Sequence, residues 1–234
     1  GNIAMGLKYP ALYYQQTGEK QLLEAVEKNY QQLMTAYGQQ PGGMFAADEN
    51  IRPGYNDPRQ GAETCTMVEM MFTWETLLKI TGETIAADRV EDIAFNSLPA
   101  SMTPDLRGLH YLTAANLISC DRSGEHDFQN SGTLLSYDPW SYRCCQHNVA
   151  FGWPYFSEHL WLATSDQGVA AVIYAPSIVE LKVGQKGQVV RLIEDTSYPF
   201  SGKITFTVFS EEEVEFPLYL RLPGWAESAF IWVN

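Results

Sequence analysis

Three thiols and a carboxylate give this chain its first chemical signature. Glu63 and Cys65 lie one residue apart, and Cys144 and Cys145 stand adjacent much later in the sequence. They include three of the four cysteines present and offer four donors of the kind zinc takes tetrahedrally, with thiolates preferred. The spacing follows no small zinc-finger pattern, so the fold must bring the two halves together. The competing reading makes the cysteines small buried hydrophobes. Neighbouring cysteines resist an unstrained disulfide with each other, so Cys144 and Cys145 must pair elsewhere, bind metal or react. A zinc-held thiolate is ionised at neutral pH and meets the first requirement of a nucleophile. Glu49 is a candidate general acid/base, since glycoside hydrolysis needs a carboxyl group to protonate the leaving oxygen; the alternative is a solvated loop carboxylate. Glu91, if it points inward, requires a substrate hydroxyl or an arginine as partner. Of the histidines, His147 is kept as a candidate because it follows Cys145 by two positions, whereas His110, His126 and His159 read as structural or exposed. Cys120 reads as a structural thiol.

The elements around these residues change character along the chain. Residues 3–37 read as two helices, the second marked by Leu22, Leu23, Val26, Tyr30, Leu33, Met34 and Tyr37 at helical spacing. Residues 38–62 lose that periodicity among Pro41, Gly42, Gly43, Pro53, Gly54 and Pro58. A loop of this length in a compact domain is a functional candidate, and it carries Glu49 and Arg52. Two further helices are expected over 64–80 and from Ile85 onward. Thr17-Gly18-Glu19 recurs as Thr81-Gly82-Glu83, which suggests a repeated helical hairpin of the kind that stacks into solenoids or closes into toroids. Pro99 and Pro104 end the run, 109–117 reads as a strand or buried loop, and 120–141 is polar and turn-rich. A last helix is expected over 149–163, with Cys144 and Cys145 just before it, where the helix dipole would lower a thiol pKa. From residue 166 short β-branched and aromatic runs separated by turns predict an antiparallel β-sandwich.

Composition narrows the classes of function. The 234 residues carry a net charge of −13, which repels phosphate backbones and argues against nucleic-acid partners. No apolar run reaches the length of a membrane span, and no signal peptide is visible. Thirteen Tyr, eleven Phe and six Trp suit a site where rings stack on sugars, and suit an aromatic core equally. The chain opens inside a helix pattern and stops on a strand pattern, so it reads as a piece of something longer.

At Glu63-Thr64-Cys65 and Cys144-Cys145, taken with the Gly42-Gly43 loop leading to Glu49, Glu91 through Asn96, and Asn148, the sequence resembles glycoside hydrolase family 127, the bacterial β-L-arabinofuranosidases. The resemblance runs over residues 7–234. It implies an α+β multi-domain fold in which residues 1–165 form the C-terminal half of an (α/α)6 toroid and residues 166–234 a β-sandwich. It also implies a retaining mechanism on an oligosaccharide or glycoside of plant origin. Zinc would be held by Glu63, Cys65, Cys144 and Cys145, with Cys144 as nucleophile and Glu49 as acid/base, while Glu91 would contact sugar hydroxyls. The loop of residues 50–62 departs from the arabinofuranosidase pattern, and Arg52 or Arg59 facing a sugar carboxylate would suit an acidic sugar. The chain supplies about half the helices of a closed six-pair barrel, so a missing half or a homo-oligomer is expected to complete it. Two other functions remain open: a non-catalytic, zinc-stabilised carbohydrate-binding or scaffold fragment, and a thiol-redox protein that lacks a Cys-x-x-Cys motif. The compartment is left open between bacterial cytoplasm and periplasm.

Overall fold

The computed structural model describes residues 1–54, 56–115, 117, 120, 134–136 and 143–233. His126 and most of the polar stretch 120–141 lie outside them. The chain divides into two compact units, Gly1–Phe156 and Ser157–Asn234, so helices and strands segregate as in an α+β fold.

The first unit is helical. Helices α1 (Asn2–Leu7), α2 (Tyr9–Thr17), α3 (Gln21–Tyr37), α4 (Thr64–Thr81) and α5 (Ile85–Asp92) follow in order. The chain then widens into a π turn over Ile93–Ser97, continues as the short α6 (Leu98–Ala100), and returns much later as α7 (Arg143–Glu158). α4 forms the centre. Met67, Val68, Met70, Met71, Trp74, Leu77 and Leu78 are all buried along it, on the broad apolar face of a helix that carries Glu69, Thr76 and Lys79 on the other, and it packs against α1 and α5. Trp74 meets the edge of the Tyr30 ring at 4.7 Å. The Arg89 guanidinium lies over both rings, at 4.2 Å from Tyr30 and 4.3 Å from Trp74, and is paired with Glu27 through two bonds of 2.9 and 3.0 Å.

The repeated Thr-Gly-Glu joint is a repeated structure. Gly18 ends α2 and Gly82 ends α4 in the same left-handed conformation, φ 71° and 72°. Each glycine N–H donates to the carbonyl four residues back at 2.8 Å. In both joints the threonine hydroxyl accepts the glutamate N–H, at 3.3 Å in the first and 3.1 Å in the second.

Short strands organise the loops of this unit, among them β1 (Ala62–Glu63), β2 (Gly108–His110) and β3 (Leu112–Thr113). β1 pairs antiparallel with β3, and Ala47 bridges to Ala62 on the other side. β2 pairs with β4 (Leu134–Ser136), which answers the strand expectation for 109–117. The long loop docks its Gly42-Gly43 corner on the π turn, where the Ser97 hydroxyl reaches the carbonyls of Pro41 and Gly42 at 3.1 and 2.8 Å. Gly42 has φ +70°, and a Cβ there would fall 2.2 Å from Ser97 Oγ, so only glycine suits both the backbone and the contact.

The second unit is built of strands. β7 (Ser177–Val183), β8 (Gln188–Thr196) and β9 (Ile204–Ser210) form an antiparallel sheet. β5 (Trp161–Ala163), β6 (Val169–Ala171) and β10 (Leu218–Leu220) form another. Here β10 runs parallel to β6, so this sheet is mixed where an antiparallel arrangement was expected. Two further expectations differ. The last helix spans 143–158 and not 149–163, because Trp161–Ala163 pairs with Val169–Ala171 and leaves the helix for a sheet. Residues 229–233, whose Ala-Phe-Ile-Trp-Val run is one of the short runs read from the sequence as strands, form no strand.

Candidate metal and catalytic centre

The β1–β3 ladder fixes the carboxylates. Glu63 N–H donates to the Ala47 carbonyl at 2.9 Å and Ala47 N–H to the Gly61 carbonyl at 3.0 Å, so the segment carrying Glu49 is held in register with Glu63. Thr64 N–H donates to the Tyr111 carbonyl at 3.0 Å, and the Thr64 hydroxyl to the His110 carbonyl at 2.5 Å. These bonds tie the start of α4, and with it Cys65, to the β2–β3 connection.

The thiols come from two helix starts. Cys65 lies in the first turn of α4, and Cys144 and Cys145 in the first turn of α7. Cys145 shares a buried face with Val149, Gly152 and Phe156, and that face meets α4, where a Cβ on Gly152 would fall 3.1 Å from Val68 Cγ2. Close approach of α7 to α4 therefore sets the thiol positions. The Cys65 thiol donates to Cys145 Sγ at 3.4 Å. One ligand atom from each of Glu63, Cys65, Cys144 and Cys145 lies within 4.8 Å of every other. Glu63, Cys65 and Cys145 are buried and Cys144 is exposed.

Electrostatics test whether this cluster suits a cation. The Glu63 side chain is fully buried. Its Oε2 accepts from the Gly1 nitrogen at 2.7 Å and from Thr66 at 3.4 Å. Its Oε1 has no hydrogen-bond partner, a costly state for a buried carboxylate oxygen. The Cys65 thiol is pushed far up from its usual range, by its hydrogen bond to Cys145 and then by burial. Cys144 is pushed up to about 11, by burial and then by Cys65. The expected lowering by the helix start is thus outweighed: the thiols sit inside the first turn, crowded by one another and by Glu63. Such a site disfavours anions until a divalent ion reverses the sign of the local field. The donor set, its orphaned oxygen and its burial fit zinc.

The other candidates fall into three groups. Glu49 reaches the cluster: from a Cβ placed on Gly1, Glu49 Oε2 and Glu63 Oε2 are each 3.8 Å distant and Cys65 Cβ is 3.6 Å distant. Its carboxyl is held above the usual range by burial and then by Glu63. Arg52 is engaged with Asp48, through Nε and Nη2 both at 2.9 Å from Oδ2, and Arg59 with Asp57 in the same loop. Glu91 is buried on α5 and His147 exposed on α7; neither is among the four clustered donors. Cys120 stands outside it, its thiol donating to the Ser101 carbonyl at 3.4 Å.

Sequence reasoning passed over Tyr111. Its phenol is pushed far up, by burial first and then by Glu63, Glu49, Asp48 and Cys145. It therefore stays protonated beside the cluster as a neutral donor. Only the β1–β3 pairing brings it there, and no local pattern signals that pairing.

Three thiols and a carboxylate thus gather at two helix starts in the helical unit, and a β-rich unit follows it in the chain. Residues 5–158 match the family model for the β-L-arabinofuranosidase GH127 catalytic domain, and residues 168–234 that for the GH127 middle domain. The chain belongs to glycoside hydrolase family 127. Among solved structures it is similar to a GH127 β-L-arabinofuranosidase from Geobacillus stearothermophilus T6, at 22% identity and TM-score 0.75 over 95% of this chain and 35% of that one. It is also similar to a protein described as a glycoside hydrolase, at 19% and 0.75 over 95% and 39%. A GH127 β-arabinofuranosidase follows at 19% and 0.70, over 95% and 33%. The chain thus spans between a third and two-fifths of the length of the structures it matches. No curated protein sequence matches it. Among the described residues no helix is long and apolar enough to cross a membrane.

Proposed function

We propose that this chain carries the catalytic centre of a retaining glycoside hydrolase acting on β-L-arabinofuranosides or related plant glycans. Residues 1–165 would contribute the C-terminal half of an (α/α)6 barrel and residues 166–234 part of a β-sandwich. One observation carries the reading: three thiols and Glu63 converge within 4.8 Å, with the Glu49 carboxyl beside them.

Glu63, Cys65, Cys144 and Cys145 hold zinc, which when bound keeps the thiols ionised at neutral pH. Cys144, the solvent-exposed thiol of the four ligands, attacks the anomeric carbon. The bond to the aglycone oxygen breaks as Glu49 delivers its proton to that oxygen, leaving the sugar on the Cys144 sulfur. Glu49 then takes a proton from water, the resulting hydroxide attacks the same carbon, and the Cys144 thiolate departs. A carboxyl held above its ordinary range suits the first step, since it must arrive protonated. Glu91 and His147 are proposed to contact the sugar. The exposure of Glu49 on its outer side is consistent with a group that must meet both aglycone and water. A scaffold with no catalysis would leave that carboxyl without a task.

Metal content by plasma mass spectrometry tests the reading, together with hydrolysis of 4-nitrophenyl furanosides. About one zinc per chain is expected, reduced in Cys65→Ala, with hydrolysis abolished in Cys144→Ala. A protein without zinc whose thiols all titrate freely overturns it.

A further inference from the structure

We propose that the Asp48–Arg52 pair is a positioning device that holds Glu49 over the thiol cluster, an inference that rests on the catalytic reading above. Glu49 is fixed on its N-terminal side by Ala47, whose N–H and carbonyl are both bonded to the segment leading into Glu63. On its C-terminal side regular structure offers no support, since residues 50–54, 56 and 57 belong to no helix or strand. The support comes from Asp48. Its Oδ1 accepts the Asn50 N–H at 3.0 Å, closing a tight turn around Glu49. Its Oδ2 accepts from Arg52 Nε and Nη2, which draws the returning loop against the same carboxylate. The Asp48 side chain is only 12% exposed whereas that of Arg52 is 51% exposed, so an inner anchor is gripped by an outer clasp. The Asp48 carbonyl accepts from the Gly1 nitrogen at 3.2 Å and the Glu49 carbonyl from Asn2 N–H at 3.4 Å. Both carboxylate oxygens of Asp48 are therefore engaged with the stretch that follows Glu49. The Asp57–Arg59 pair in the same loop repeats the chemistry at the surface without a functional carboxylate between its partners.

A clasp that acts through an acid/base leaves a signature that a merely structural residue does not. Protonation of the leaving group matters for an alkyl aglycone and hardly at all for a nitrophenolate. Arg52→Ala is expected to lower kcat/KM about 100-fold on an alkyl furanoside, the scale of a 1 Å misplacement. On the 4-nitrophenyl furanoside the loss in the first, bond-breaking step is expected to be under about threefold, with zinc content unchanged. Arg52→Lys, which keeps a cation within reach of Asp48, is expected to recover part of the loss. Equal losses on both aglycones, or a rise in KM confined to acidic sugars, would overturn the proposal and assign Arg52 to direct substrate contact. If the wild-type protein hydrolyses no glycoside, the catalytic reading fails first, and the clasp is then judged crystallographically. In Arg52→Ala a Glu49 carboxylate displaced from the cluster supports it, and one that has not moved refutes it.

Discussion

Replacing Gly152 by alanine is expected to loosen the metal site before it loosens the fold. The new methyl would stand 3.1 and 3.4 Å from the two Val68 methyls and 3.6 Å from Leu98 Cδ2. Carbon atoms settle at about 3.5–4.0 Å, and valine is stiff at χ1 within a helix, so α7 must retreat from α4 by roughly half an ångström. The stability terms nearly offset. Alanine gains about 0.8–1 kcal/mol over glycine in helix propensity, against an overpacking cost of about 1–3 kcal/mol, so a net loss of about 0–2 kcal/mol remains. The metal site has less room. Ligand distances tolerate about 0.2 Å, while Cys65 rides on α4 and Cys144 and Cys145 on α7. Zinc affinity is expected to fall roughly 10- to 100-fold, the scale of displaced ligand supports. Chelator competition measures the affinity, and urea denaturation of metal-stripped protein measures the stability. Val68→Ala in the same chain removes both obstructing methyls and is expected to restore affinity. Unchanged zinc affinity in Gly152→Ala, or a loss that Val68→Ala does not relieve, would refute the argument that helix approach sets the thiol spacing.

Three further outcomes are expected. Because Cys65 and Cys144 lie above their usual range, zinc uptake by metal-stripped protein at pH 7 should release about two protons or more, measurable by calorimetry in buffers of different ionisation enthalpy; release near zero would contradict the assignment. The Arg89 guanidinium, through its hydrogen bonds, holds the Glu27 carboxyl below its usual range, so the pair stabilises the fold above the unfolded carboxylate pKa and loses that contribution as pH falls through the lower folded value. Glu27→Gln should therefore cost about 0.5–1 kcal/mol at pH 7, modest because Glu27 is half exposed, and nothing by about pH 2–3, as read from urea midpoints across pH. Gly42→Ala should cost about 1–2 kcal/mol for the left-handed backbone alone, and more through the clash with Ser97 Oγ; combination with Ser97→Ala should be less than additive in thermal or urea melts.

Much of this was legible in residue types. Glu63, Cys65, Cys144 and Cys145 were identifiable because thiols are rare and a carboxylate one position from a thiol is conspicuous. The helical hairpins were legible because Thr-Gly-Glu encodes a left-handed glycine cap closed by a threonine hydroxyl, a purely local arrangement. What escaped were features written in pairings distant in sequence. The end of α7 depends on Trp161–Ala163 finding Val169–Ala171, and Tyr111 enters the centre only through the pairing of β1 with β3. The thiol pKa direction escaped for a related reason: a helix start favours thiolate, yet burial and facing thiols from another helix outweigh it. Arg52 read from sequence as a hand for an acidic sugar, because nothing in the order of residues reveals that Asp48, four positions back, already holds it.

The hydrogen bond between Cys65 and Cys145 spans 80 positions, and that separation bears on how the molecule comes apart. A metal held there closes the intervening chain into a ring. Tying a loop of this size removes conformational entropy worth about 4 kcal/mol from the unfolded ensemble. Once loaded, the chain between α4 and α7 can unravel only as a closed ring or after the ion has left, so unfolding and metal loss are coupled. Its persistence would then be counted as a lifetime, set by how fast the exposed Cys144 lets go, with the melting midpoint of the helices a secondary matter.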